Sequence, residues 1–137
     1  MPEPVRHPVG LIDTSVLIDL DDLEADQLPV EISVGAVSMA ELAAGPHATD
    51  DHEERARRQD RLQRAEAVFD PIPFDADAAR AYGRVFAAVM VTGRKARGAR
   101  AVDLLIAATA LAGELPLFTR NPEDFRALED LIVVVPV

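Results

Sequence analysis

The chain has 137 residues, of which 49% are hydrophobic; this is typical of one domain with its own core, predicted here over residues 1–137. It contains no cysteine, which excludes disulfides and zinc–thiolate sites and fits a reducing compartment. The net charge of −10 argues against non-specific adhesion to nucleic acid or to an anionic membrane.

The first segment, "MPEPVRHPVGLID", lacks the apolar core of a secretory signal. No stretch of the chain reaches the roughly 18 uninterrupted apolar residues of a membrane-spanning helix. We therefore expect a soluble, cytoplasmic protein that makes no contact with a membrane.

The predicted elements begin with a strand over 9–13 ("VGLID") that leads into a helix over 15–23. A second strand follows over 32–37 ("ISVGAV"), and the next helix, over 38–45, ends where Gly45 and Pro46 stop it.

A longer helix is predicted over 47–69, and it carries a cluster of arginines. Arg57, Arg61 and Arg64 share one face of this helix. That face is either simply solvated or placed to contact the phosphates of a nucleic-acid backbone, and the sequence leaves both readings open.

The second half of the chain continues the alternation of strands and helices. A short edge strand over 71–74 precedes a helix that Asp75 caps and that runs to about Val91, with Tyr82, Phe86 and Val89 on its apolar face. The remaining predicted segments are a basic turn (92–101), a helix (101–112), a strand (115–119), a short helix (121–128) and a final strand (131–137). This alternation predicts an α/β fold with a parallel sheet covered by helices.

Four carboxylates stand at the starts of predicted helices, and each has an ordinary structural explanation. Asp13 is placed to cap the first helix. Glu41 fits a capping box with Ser38, and Asp124 fits the first turn of a helix that Asn121 caps. Asp103 is less easily explained, because apolar residues surround it in "AVDLLIAATALA"; a first-turn acid and a site residue are equally good readings of it.

Taken together, these acids indicate more than any one of them. Each follows a strand or opens a helix, and such positions converge at the carboxyl ends of parallel strands. Two carboxylates 4 Å apart repel each other by about 4 kcal/mol at an effective dielectric of 20, so the group would have to bind protons or a cation. Oxygen ligands without histidine or cysteine suit Mg²⁺ or Mn²⁺, ions that commonly handle phosphoryl oxygens.

Four motifs, "LIDTSVLIDL", "SMAELAAG", "RAVDLLIAATAL" and "LFTRNPEDF", occur in the order and approximate spacing of PIN-domain ribonucleases. The chain most resembles the VapC-type toxins of bacterial toxin–antitoxin pairs. The resemblance implies a PIN-like α/β/α sandwich with a central parallel sheet and Mg²⁺- or Mn²⁺-dependent cleavage of an RNA phosphodiester. It further implies a homodimer, and an antitoxin whose C-terminal segment covers the acidic pocket.

Residue by residue, the resemblance places Asp13, Glu41 and Asp103 on the three most regular acidic positions of the family. The fourth motif departs from the pattern, and we assign its acidic position to Asp124, with Asn121 as an accessory ligand. Thr119 matches a hydroxyl position and is implied to hydrogen-bond a water of the metal.

Because a negative pocket repels RNA, we expect a basic cluster next to Asp103 to contact the RNA backbone. The members of that cluster are Arg94, Lys95, Arg97 and Arg100.

Three rival interpretations remain. A degenerate PIN-like domain could serve as a catalytically inactive binding module. A different magnesium enzyme, such as a phosphatase, usually needs an Asp-x-Asp pair, whereas Asp13 and Asp19 lie six positions apart. In the third interpretation every acid is only a helix cap, and divalent metal then has no effect on melting.

Overall fold

A computed structural model of the protein describes residues 6–93 and 99–137, and of Ala99 only the backbone. The described chain forms four strands and five α-helices: β1 (Val9–Ile12), α1 (Thr14–Ile18), β2 (Glu31–Val34), α2 (Ala36–Ala44), α3 (His52–Val68), α4 (Ala76–Val91), α5 (Ala99–Ala112), β3 (Leu117–Thr119) and β4 (Val134–Pro136). Short 3₁₀ segments cover Leu20–Asp22, Ala25–Gln27, Gly45–Ala48 and Pro122–Leu128.

The strands form a parallel sheet in the order β2-β1-β3-β4. Leu11 at the centre of β1 pairs with Ser33 on one side and with Leu117 on the other. Because all four strands run in the same direction, the segments that follow β1, β2 and β3 leave the sheet at one edge, which is where α/β proteins bind their ligands.

The sheet separates two apolar cores. Leu11 and Leu117 face a core shared with α4 and α5, whereas their neighbours Ile12 and Phe118 face a core shared with α1, α2 and α3. This alternation is the period of two that a strand imposes on its side chains. The predicted three-layer α/β/α sandwich with a central parallel sheet is confirmed.

Several predicted boundaries were wrong. The first helix ends at Ile18 and gives way to 3₁₀ turns, and the long helix begins at His52, after a 3₁₀ segment that includes Pro46. The edge strand predicted over 71–74 is only an isolated bridge between Ile72 and Gly35. The last two strands are shorter than predicted, because only a few of their residues pair with a neighbouring strand.

The apolar face predicted for α4 was also partly wrong. The buried stripe consists of Ala78, Ala81, Val85 and Val89, and Phe86 is 40% exposed. The small residues of this stripe allow α4 to pack closely against α5, with Tyr82 partly buried against the same core and Phe86 outside it.

Gly10 in β1 is required by close packing. A Cβ atom at this position would lie 2.5 Å from Cε1 of Phe118, a ring held in the sheet core. We expect Gly10→Ala to destabilise the fold by about 1–3 kcal/mol through overpacking. Gly83→Ala in α4 is the control, since a Cβ there meets nothing within 4 Å and should be neutral or stabilising. Urea denaturation of both variants measures the difference, and equal stability would contradict the packing argument.

Candidate active site

Asp13 lies at the end of β1 and is only 4% exposed. Its Oδ1 accepts the backbone N–H of Val16 at 3.1 Å and the Ser15 hydroxyl at 2.6 Å, so it caps α1 as predicted. Both hydrogen bonds are made to Oδ1, and no described residue bonds Oδ2, which is therefore available to a ligand. The capping role and a ligand role are therefore compatible in one side chain.

Glu41 lies on α2, and the capping box predicted for it was wrong. The helix begins at Ala36 with Gly35 as its N-cap, so Ser38 is already inside the helix and buried. The earlier start has a long-range cause, because Gly35 bridges to Ile72 and the Ile72 carbonyl accepts the Ala36 N–H at 2.8 Å.

Thr14 supports Glu41, and the sequence analysis did not single it out. Its hydroxyl donates to Glu41 Oε1 at 2.5 Å and lies 3.0 Å from the Ser38 hydroxyl. A hydroxyl has only one hydrogen to give, so Ser38 is the donor toward Thr14. The only sequence signal for this chain of hydroxyls is "DTS" directly after a strand.

Asp103 is half-buried on α5 and is not where the sequence prediction put it. The helix begins by Ala99, and its first turn contains no acid, so Asp103 lies in the second turn, away from the N–H groups that would favour a carboxylate. Burial, followed by the charges of Asp124, Asp13 and Glu41 in that order, raises the pKa of Asp103 to about 6. The fold therefore brings together the four acids that the sequence analysis singled out.

The turn after β3 presents Asp124. Thr119 is fully buried, and its hydroxyl accepts the Asn121 N–H at 3.0 Å, while the Asn121 carbonyl accepts the Asp124 N–H at 3.0 Å. Asn121 occupies the N-cap position as predicted, but its side chain makes no capping hydrogen bond. Thr119 thus shapes the turn, and the Asn121 amide remains available to a ligand.

Ser15 connects this turn to Asp13. Its hydroxyl donates to Asp13 Oδ1 and accepts the Arg120 N–H at 3.2 Å, so one side chain fixes the ends of β1 and β3 relative to each other. Ser15 is a second residue that the sequence analysis missed.

The predicted RNA-binding cluster is only partly visible. Arg94, Lys95 and Arg97 lie outside the described residues. Arg100 is half-buried one turn before Asp103, its charge lowers the pKa of Asp103, and its Nε is buried without a hydrogen-bond partner in the described part of the chain.

The carboxylates of the site are of the kind that binds a hard divalent cation, although their side chains are not close enough to one another to form a complete metal site. No three Asp, Glu or His side chains within residues 6–93 and 99–137 are close enough to form a ready-made metal site. However, the acids repel one another around Asp103, and carboxylate oxygens are the ligands of Mg²⁺ and Mn²⁺. A cation would offset this repulsion.

None of the described helices is long and apolar enough to span a membrane.

The raised pKa of Asp103 makes a prediction about stability without metal. The folded state holds the proton to about pH 6, whereas the unfolded chain releases it near 3.8, so wild-type stability falls as the pH rises through this window. At pH 7.5 in EDTA we expect Asp103→Asn to be more stable by about 1–2 kcal/mol after allowance for solvent screening, or about 3–6 °C in Tm.

Thermal melts between pH 4 and pH 8 measure this difference, which should shrink toward pH 4. Asp130→Asn, at an exposed position outside the site, is the control and should leave Tm unchanged. A gap between wild type and Asp103→Asn that stays constant over this range would contradict the electrostatic cause.

Comparison with known proteins agrees with this architecture. The PIN domain family model matches residues 10–131. Ribonuclease VapC5 of Mycobacterium tuberculosis is 34% identical over 123 residues, covering 88% of this chain and 87% of that protein. Ribonuclease VapC of Rickettsia bellii is 26% identical over 132 residues, covering 93% of this chain and 96% of that protein.

Solved structures show the same fold. VapBC-5, a member of the VapBC family of toxin–antitoxin systems from Mycobacterium tuberculosis, matches with a TM-score of 0.82 and 32% identity, over 95% of this chain and 99% of that chain. FitAcB from Neisseria gonorrhoeae matches with a TM-score of 0.68 and 25% identity, over 92% of this chain and 96% of that chain. Since the family model spans most of the sequence and VapC5 is similar over nearly its whole length, the chain belongs to the PIN-domain family and is of the VapC type.

Proposed function

We propose that this protein is a metal-dependent endoribonuclease that acts in the cytoplasm as the toxin of a type II toxin–antitoxin system. The observation that carries the proposal is the convergence of Asp13, Glu41 and Asp124 on the half-buried Asp103 at the carboxyl edge of the parallel sheet. Similarity to proteins named as VapC ribonucleases supports RNA as the substrate.

In this proposal Asp13 and Asp103 hold one Mg²⁺ or Mn²⁺ directly, and Glu41 and Asp124 complete the site, with Asn121 as an accessory ligand. When bound, such a cation supplies Lewis acidity toward phosphoryl oxygens and water. Thr14 holds Oε1 of Glu41, so Oε2 is the atom free to accept a proton from an attacking water. Ser15 holds the Asp13 carboxylate and links it to the end of β3, and Thr119 holds the turn that carries Asp124.

The partner in this proposal is an antitoxin, in line with the similarity to chains solved as VapBC complexes. A groove of about 600 Å³ runs between α3 and the turn that follows α1. Apolar side chains from both sides line it, among them Leu17, Leu20, Ala65 and Phe69. This groove suits an apolar helix face of the antitoxin, whose C-terminal segment would then reach the acidic pocket.

We also propose a homodimer, because α4 leaves apolar side chains uncovered in the single chain. Phe86 and Met90 are 40% and 49% exposed, one turn apart on this helix. Exposed apolar patches of this kind commonly mark protein contacts.

Cleavage of RNA tests the proposed function. Purified protein is incubated with total RNA and with tRNA in Mg²⁺, Mn²⁺ or EDTA, beside Asp103→Asn and the control Asp130→Asn. We expect discrete cuts that need metal, that fall by about 100-fold or more in Asp103→Asn and that persist in Asp130→Asn.

Metal-dependent Tm shifts separate the remaining outcomes, because a ligand of the folded state alone raises Tm. Cuts that persist in Asp103→Asn would mean contamination or a misassigned site. No cuts and no metal shift would favour a catalytically inactive PIN-like binding module. A metal shift without cuts, lost in Asp103→Asn, would support the site and contradict the choice of RNA substrates.

A further inference from the structure

A cleft lies between the proposed active site and α3, and the mechanism above gives no role to the arginines on its α3 side. This cleft has a volume of about 330 Å³. Thr14 and Glu41 of the proposed active site line one side, and Arg58 and Arg61 of α3 line the other, together with Glu54. Its size is at the lower end of the range for small-ligand sites, which leaves room for about one nucleotide.

Four of the five arginines of α3 are already engaged within the fold. Arg55 donates to the carbonyls of Pro46 and Thr49. Arg57 and Arg58 both bind Glu54, and Arg58 also donates to the Gly45 carbonyl. Arg64 forms ion pairs with Asp21 and Asp60.

Arg61 differs from its neighbours. Within the described chain it makes no side-chain hydrogen bond and no ion pair, although it is partly buried. Of the acids that share its cleft, Glu54 is neutralised by Arg57 and Arg58, which hold its pKa below the usual value. Glu41 keeps its charge, but no ion pair joins it to Arg61 in the described part of the chain. The positive charge of Arg61 is therefore unpaired within the described chain and available to a ligand.

We propose that Arg61 binds a backbone phosphate of the RNA next to the one that is cut, and so guides the strand into the acidic site. A guanidinium binds a phosphate through paired N–H donors. An unpaired guanidinium at the rim of a negatively charged pocket also lowers the repulsion that a polyanion meets as it approaches. This inference rests on the proposed function, which supplies RNA as the ligand.

The test measures binding of a fluorescein-labelled, mixed-sequence RNA of about 12 nucleotides by fluorescence anisotropy over a range of salt concentrations in Mg²⁺. The parent protein carries Asp103→Asn so that the RNA stays intact. Arg61→Ala, Arg61→Lys and Arg80→Ala are added to it. Arg80 lies on α4, on the opposite face of the sheet, and its replacement changes the net charge by the same amount.

We expect Arg61→Ala to weaken binding about 10-fold at low salt and to reduce the slope of log K against log salt by about 0.7, the value for one phosphate contact on a single strand. Arg61→Lys should retain most of the slope, and Arg80→Ala should leave it unchanged. With Asp103 intact, Arg61→Ala should raise KM for cleavage while kcat changes little.

The outcomes that overturn the inference are distinct from those that overturn the proposed function. Equal effects of Arg61→Ala and Arg80→Ala would mean that only net charge matters. If the parent binds RNA, the wild type cleaves it and Arg61→Ala leaves the salt slope unchanged, only the role of Arg61 in RNA binding is overturned. Arg61 would then contact the protein partner in the adjoining groove, which it also lines. Absence of RNA binding and of cleavage would overturn the proposed function and this inference with it.

Discussion

The chemistry of the site depends on the repulsion between Asp103 and the three carboxylates around it. Asp103 lies in the second turn of an apolar helix, half-buried, where neither the helix terminus nor full solvation favours its charge. The fold keeps it there although the nearby charges of Asp124, Asp13 and Glu41 raise its pKa. An arrangement that costs stability at neutral pH is explained by a ligand that restores it, and a divalent cation has the required charge and chemistry.

Short hydroxyl side chains restrain two of these mutually repelling carboxylates and the turn that carries a third. Ser15 joins the ends of β1 and β3 through Asp13 and the Arg120 N–H, and Thr14 joins α1 to α2 through Glu41. Thr119 closes the turn that carries Asp124. The hydroxyls of Ser15 and Thr14 therefore restrain the carboxylates of Asp13 and Glu41 directly, whereas Thr119 restrains only the backbone turn that carries Asp124. Such support is what keeps a site ready for its ligand.

Local patterns in the sequence were enough to predict the parts of the structure that depend on local chemistry. The apolar run before Asp13, the capping by Asp13 and the alternation of strands and helices all have causes within a few residues. The start of α2 does not, because it is set by the bridge between Gly35 and Ile72. For the same reason Ser38 was read as a cap, when its partner is Thr14 on another helix. The long-range partners of the α3 arginines were likewise not evident from local patterns, since Arg58 donates to the Gly45 carbonyl and Arg64 pairs with Asp21.

An acidic protein that acts on a polyanion has to obtain its affinity locally. With a net charge of −10, the chain gains little from the general electrostatic attraction that underlies non-specific binding of nucleic acids. The arginines of α3 add little to that attraction, because most of them form hydrogen bonds or ion pairs with carboxylates and carbonyls of the same chain. In the proposed function, RNA binding would then depend on uncompensated groups near the acidic pocket such as Arg61, and an RNA that does not reach them would be repelled. The acidity that the proposed metal site requires would therefore also favour selectivity, because only strands whose shape brings a phosphate to the pocket would gain enough contacts to remain bound.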